Sequence, residues 1–369
     1  MGQRRGHKYK HSSISHQIFL EPAPRAPLRI PASLPTPTMR ESWSSMSMTQ
    51  TLRISYCLLH LALAAYTQYT ASGSLALTAL SHLLFYDATG ALLCAALDVL
   101  ANFDVWRQAS IRQPFGLARA EVLVGFAMSI LLLFMGFDLV SHGAAHALDA
   151  AAATGVAEPH HAHTHAGVPS RARLALSAAI GAGSTAVSAA VLRNHARIGR
   201  ALRLRFAGLG LPRLPARVAA NPSHLLTLAC ATLLVPLGSV DEAYFVAADR
   251  LLAAGMALAM CVLGYALVKA LGAMLLMSYA GPAERGVAEV LGGVAALSDV
   301  EAVEEVRAWS VHYGLHMLTV KLGVRGGEQA ARRVRAAVMH IAKEKLEVGP
   351  GFVDEDVSWE ISVEVKTIE

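Results

Sequence analysis

Charge is what this 369-residue sequence has least of: Lys, Arg, Asp and Glu make up 16% of it, against roughly 25% in an average soluble domain. With 54% hydrophobic residues and a mean hydropathy of +0.42, the shortage argues against a disordered chain and against an ordinary soluble enzyme. The four cysteines, Cys57, Cys94, Cys230 and Cys261, fall inside apolar runs and form no C-x-x-C pair. They read as small core residues rather than a zinc or disulfide framework. No G-x-x-x-x-G-K-[ST] run occurs, which leaves an ATP-driven pump without its phosphate cradle, and neither G-x-S-x-G nor H-E-x-x-H is present. Without a nucleophile, acid pair or cofactor motif above background, no enzyme and no organic cofactor are expected.

The charges that exist are unevenly placed. From Glu284 onward there are ten basic and fifteen acidic residues, so the tail carries −5 while the rest of the chain carries +10. A hydrophobic body followed by a charged tail of near-domain size is the pattern of a membrane domain with a soluble one attached. The basic excess sits beside apolar segments, where membrane orientation explains it better than nucleic acid does; no nucleic-acid partner is expected.

Residues 1–50 hold six prolines between Pro22 and Pro37, many serines and no apolar core of the length a signal peptide needs, and read as a disordered basic leader. Six apolar segments are then expected within a membrane domain spanning residues 51–282. From Ile54 to Leu97 the only formal charge is Asp87; this is room for two crossings of about 20 residues each, with the turn at Thr67 to Ser74. Val122 to Phe137, Leu174 to Leu192, Val218 to Val240 and Leu251 to Val268 complete the set. Arg107, Arg112 and Arg119 lie between segments two and three, and six arginines from Arg197 to Arg217 lie between four and five, whereas the turn after segment one has no basic residue. The positive-inside bias puts these arginine-rich loops and both termini in the cytosol.

Residues 283–369 form the expected soluble domain. A helix over Ala283 to Ala296, alternating runs Val303 to Tyr313 and Leu315 to Val324, an amphipathic helix from Gly326-Gly327 through Lys345 and a last alternating run Trp359 to Val365 give an α-β-β-α-β order. That order and size fit a small ferredoxin-like α+β domain.

Polar residues inside apolar segments are costly and are functional candidates by default. Ser81-His82-Leu83-Leu84-Phe85-Tyr86-Asp87 lies on segment two and Asn221-Pro222-Ser223-His224-Leu225-Leu226-Thr227 on segment five. A His and an Asp four residues apart share a helix face, and two such pairs would supply four ligands for tetrahedral zinc. The chain half meets that geometry: Asp87 follows His82 by five residues, about 140° around the helix, position 83 is Leu, and position 228 is Leu. On spacing alone His82 and His224 read equally as hydrogen-bonded packing residues. The run His160-His161-Ala162-His163-Thr164-His165 has the composition of a weak metal-collecting loop or of a plain polar one, and its place between segments three and four puts it on the lumenal side. In the tail, His312, His316 and His340 have no Cys or acid at ligand spacing beside them and read as surface histidines.

These features together resemble the cation diffusion facilitator family of zinc/proton antiporters. Pro114-Phe115-Gly116-Leu117-Ala118-Arg119-Ala120-Glu121-Val122-Leu123 is similar to the family's P-F-G-x-x-R-x-E-V-L stretch. More narrowly, S-H-L-L-F-Y-D-A-T-G and N-P-S-H-L-L-T are similar to fungal zinc-regulated subunits of the endoplasmic reticulum whose H-x-x-x-D motifs are degenerate. The resemblance implies Zn2+ as the transported ion, with Asp87 and His224 at two of the four ligand positions and Leu83 and Leu228 at the others, unless His82 swings in. It implies a gate or charge network of Arg119, Glu121 and Asp249. It further implies an auxiliary half of a heterodimer with a transport-competent homologue, moving zinc from cytosol into the endoplasmic reticulum lumen. An autonomous homodimeric antiporter is the runner-up, and a membrane scaffold or enzyme a more distant alternative.

Overall fold

The computed structural model describes residues 36–109, 114–152, 170–189, 222–279, 284–347 and 358–368. Its helical part contains α1 (Met39–Ser44), α2 (Met48–Thr70), α3 (Leu75–Leu100), α4 (Asp104–Arg107), α5 (Ala118–Ala152), α6 (Arg171–Val187), α7 (Pro222–Leu237) and α8 (Glu242–Leu275). The tail follows as α9 (Glu284–Ala295), β1 (Val300–His312), β2 (Leu315–Arg325), α10 (Glu328–Glu347) and β3 (Ser358–Ile368).

Serines mark where helices begin, because a hydroxyl can accept an otherwise orphaned N–H of the first turn. Ser47 and Gln50 close a capping box at α2, the Ser74 hydroxyl accepts the Leu77 N–H at 3.1 Å at α3, and Ser170 accepts the Arg173 N–H at 3.3 Å at α6. The turn between α2 and α3 is confined to residues 71–74, shorter than the polar stretch that announced it. α5 and α8 run 35 and 34 residues, well beyond their most apolar cores. No proline interrupts either sequence, so alanine-rich and polar flanks continue the helix past the bilayer's roughly 30 Å core.

Among the described residues three spans are long and apolar enough to cross a membrane, Leu75–Leu100, Ala118–Ala145 and Ala243–Leu275. α2 has 23 residues with Arg53 in its first turns, and α6 and α7 have 17 and 16 described residues. The six pack as α2 on α3, α5 on α8 and α6 on α7, with α3 touching all three groups. Leu77, Leu80, Leu83, Leu132, Leu234 and Met260 belong to one shared core. Lipid is as apolar as leucine, so close backbone approach has to supply much of the attraction between such helices. α5 and α8 achieve it with reciprocal glycines. A Cβ on Gly136 would stand 2.7 Å from Cys261 Sγ and 3.2 Å from the Ala257 carbonyl oxygen, and one on Gly264 would stand 2.9 Å from Leu133 Cγ.

The tail has the α-β-β-α-β order read from the sequence. β1 pairs antiparallel with β2, and β2 pairs parallel with β3 through the α10 crossover, giving a mixed sheet in the order β1-β2-β3. Leu318, Val320, Leu322 and Val324 of β2 bury against Val290 and Val294 of α9 and Val334 and Val338 of α10. On the opposite face Lys321 sits 3.4 Å from both Glu305 and Glu364. The tail docks on the helical domain through the β1–β2 turn, where Tyr313 packs against the helical core. Its hydroxyl is buried without a hydrogen-bond partner among the described residues.

The glycine contact carries a test. Gly136→Val should force α5 and α8 apart and destabilise the chain by about 1–3 kcal/mol, read as a lower thermal midpoint in detergent. Adding Cys261→Gly should recover part of the loss, because the sulfur is the nearest clash.

Candidate functional site

Asp87 stands midway along the 26 residues of α3 and is 1% exposed, and His224, in the first turn of α7, is 2% exposed. The two helices meet there: His224 Nε2 lies 2.7 Å from Asp87 Oδ1. At that distance one proton sits between nitrogen and oxygen, whichever atom formally owns it. A third group completes the arrangement from a helix that the motifs did not single out. His60 of α2, 2% exposed, brings its Nε2 to 3.7 Å from Asp87 Oδ2. Both carboxylate oxygens therefore face an imidazole, and each imidazole comes from a different helix. His60 was visible in the sequence as a lone polar side chain in an otherwise apolar span, the same signal that marked His82.

The surroundings hold this group in place. Tyr56 lies edge-on to His60 with ring centroids 5.9 Å apart, and its hydroxyl donates to the Ser184 carbonyl of α6. Cys57, one turn before His60, is fully buried. On α7 the Thr227 hydroxyl donates back to the Ser223 carbonyl at 3.0 Å, so the helix satisfies its own polar groups beside His224.

His82 is not part of this group. Five residues before Asp87 on a regular helix, it points about 140° away and falls within the electrostatic field of Asp138 and His142 on α5. Asp138 and His142 themselves stand one turn apart, 3.7 Å between Oδ1 and Nε2. His82 Nδ1 is buried with no hydrogen-bond partner among the described residues. Leu83, on the face of Asp87 one turn earlier, is fully buried. Leu228, one turn after His224, is half-buried. Neither side chain can ligate. Among the described residues no group of three His, Cys, Asp or Glu stands at the spacing of a bound ion; the Asp87 cluster is drawn closed on its hydrogen bond.

Arg119, Glu121 and Asp249 do not form one network. Asp249, 4% exposed on α8, accepts from Ser74 Oγ at 2.5 Å, Leu75 N at 2.7 Å and Ala76 N at 3.3 Å. It caps the N-terminus of α3, where free N–H groups and the helix dipole favour a carboxylate. Arg119 donates to the Leu275 carbonyl at 3.2 Å, at the other end of α8. The 26 residues between Asp249 and Leu275 place these contacts about 39 Å apart. Glu121 lies near the docked Tyr313. His160, His161, His163 and His165 lie outside the described residues.

The tail histidines divide. His340 is 82% exposed beside Glu344, as a surface histidine should be, and His312 Nδ1 accepts the Gly314 N–H at 3.2 Å. His316 is instead inside an aromatic cluster, 5.0 Å from the Trp359 ring and 5.8 Å from Tyr279. Burial, with the neighbouring His312 adding to it, holds His316 far below the usual histidine range, at about 4. It is neutral near pH 7, and its role here is packing at the domain junction.

Comparison with known proteins agrees with this architecture. A model of the cation efflux transmembrane domain matches residues 52–276. The chain is 30% identical over 366 residues, 98% of its own length and 87% of the other's, to the probable zinc transporter zrg17 of Schizosaccharomyces pombe. It is 37% identical over 147 residues, 38% of its length and 24% of the other's, to the protein ZRG17 of Saccharomyces cerevisiae.

Two outcomes are expected. His224→Leu, which leaves a buried carboxylate short of its partner, should cost about 3–5 kcal/mol, while Asp87→Leu with His224→Leu should be clearly milder; thermal midpoints in detergent compare the two. For His316 the fold favours the neutral ring, so its contribution is complete above pH 6.5 and is lost as acid carries the pH down towards about 4. Trp359 fluorescence should report a junction that loosens across that window, and His316→Phe should flatten the response.

Proposed function

The chain belongs to the cation efflux family, whose members are transporters and not enzymes, and from that premise we propose that it serves zinc transport as the auxiliary half of a heterodimer. Its partner is a homologous subunit with a complete metal site, and the pair moves Zn2+ from the cytosol into the endoplasmic reticulum lumen. The observation that carries this is the composition of the intramembrane site. Asp87 and His224 meet at 2.7 Å, but the positions one helical turn away on each helix are Leu83 and Leu228. Two protein ligands fall short of the three or four that zinc sites use, so transport falls to the partner.

Further features support pairing and direction. Phe134 and Phe137 of α5 are 67% and 62% exposed, and Leu258 and Val262 of α8 are 64% and 59% exposed, an apolar face suited to lipid or to a second subunit. The arginine-rich loops favour cytosolic termini. The sequence has no phosphate-cradling loop, which leaves an ion gradient as the driving force. Protons exchange for zinc because imidazole and carboxylate bind metal only when deprotonated.

A second reading, an autonomous homodimeric antiporter, is favoured by one observation: His60 adds a third donor beside Asp87. Zinc uptake into proteoliposomes separates the two. With the auxiliary role, uptake appears only when the homologous partner is present, and His224→Ala in this chain leaves it within about twofold. Uptake by this chain alone, stopped by His224→Ala, would establish the autonomous transporter instead.

A further inference from the structure

We propose that α1 is a membrane-surface anchor, lying in the headgroup layer with Met39 and Trp43 turned to the acyl chains, so that its partner is the lipid surface. Local sequence makes the segment a helix. The Thr38 hydroxyl accepts the Glu41 N–H at 3.3 Å while the Glu41 carboxylate accepts the Thr38 N–H at 2.7 Å, a closed capping box. Met39 and Trp43 stand one turn apart, about 40° around the axis, and Glu41 lies about 200° from Met39 on the far side. The apolar face is bare: Met39 is 80% and Trp43 64% exposed. Two more uncovered apolar side chains follow at the start of α2, Met48 at 74% and Leu52 at 57%. The backbone is extended at Ser47, with φ −72° and ψ 159°, so α1 and α2 are two helices and not one continuous rod.

Hydrogen bonds fix the level at which this face sits. Just after α1, the Ser45 carbonyl accepts from Asn102 Nδ2 at 3.2 Å, and the Gln50 and Asn102 amides exchange hydrogen bonds at 3.0 and 3.1 Å. Asn102 comes directly after the C-cap of α3, Ala101. The 26 residues of α3 rise about 39 Å, more than the hydrocarbon core of about 30 Å and just short of the roughly 40–45 Å that includes the headgroups. The end of α3, and α1 tied beside it, therefore falls in the headgroup layer. Tryptophan is enriched at that depth, with its ring among the chains and its N–H within reach of polar headgroups. Arg40, exposed and about 100° from Met39, can lay its stem along the apolar layer and its guanidinium among the phosphates. The inference rests on the membrane domain alone and is independent of the zinc role and of the partner.

The test uses the full-length chain in phosphatidylcholine vesicles. Trp43 is read as the difference in emission between the wild-type chain and Trp43→Phe, since Trp106, Trp309 and Trp359 also fluoresce. Lipids brominated on the acyl carbons nearest the headgroup should remove most of that difference, and lipids brominated near the chain ends should remove little of it. Iodide on both sides of the membrane should leave it nearly unchanged. Should Trp43→Phe not elute as a single species, Trp43→Tyr is read the same way. Quenching by iodide, with none from the shallow brominated lipid, places Trp43 in water and overturns the anchor. Stronger quenching from the chain-end bromines places Trp43 inside the core and overturns the headgroup position. Quenching by none of the three means that protein covers the face, as a second subunit would, and overturns the lipid partner.

Discussion

One buried carboxylate organises the helical domain. Asp87 is 1% exposed halfway along α3, and an acid at the centre of a membrane helix costs several kcal/mol unless it is partnered. The residues one turn away on α3 itself, Leu83 and Ala91, carry no polar group, and the histidine of the same helix, His82, points elsewhere. They come from α7 through His224 and from α2 through His60. Meeting that single requirement sets how three helices face one another, and the Tyr56 hydroxyl extends the arrangement to α6.

The same helix is held at its ends by different chemistry. At its start, the Asp249 carboxylate of α8 collects the Ser74 hydroxyl and the Leu75 and Ala76 amides. At its finish, Arg53 of α2 meets Asp98 at 3.0 Å, and Gln50 donates to the Asp98 carbonyl at 2.9 Å. α3 is thus pinned at three levels by three polar devices, while α5 and α8 associate through small residues and shape. The α/β tail joins through aromatics, with Tyr313 against the helical core and the rings of Tyr279, His316 and Trp359 clustered edge-on and tilted just after α8.

Much of the fold was legible because each element carries its own periodicity. The span around Asp87, free of other charges, announced two helices, and the change from long apolar runs to alternation announced the tail and its α-β-β-α-β order. Helix ends were less legible. Val122 to Phe137 and Leu251 to Val268 caught only the apolar middles of α5 and α8, since nothing in the flanking alanine-rich sequence breaks a helix and hydropathy measures lipid contact, not helicity. The acids and arginines misled in a different way. The family resemblance implied a gate or charge network that joined Arg119 and Asp249, yet each caps a helix end, a job set by where backbone groups lie unsatisfied.

Sequence alone determined that this is a multi-pass membrane protein with a small α/β tail, that Asp87 and His224 are the unusual groups within apolar helices, and that leucines occupy the positions one turn away. Those are local facts, written in composition and in spacing along one helix. Only the tertiary structure decided that Asp87 and His224 touch, that His60 and not His82 is the third member, and that His316 packs against Trp359 and Tyr279. Each of those depends on which face of one helix meets which face of another. Helix rotation is set by the summed packing of many neighbours, and a spacing rule within a single helix carries no information about it.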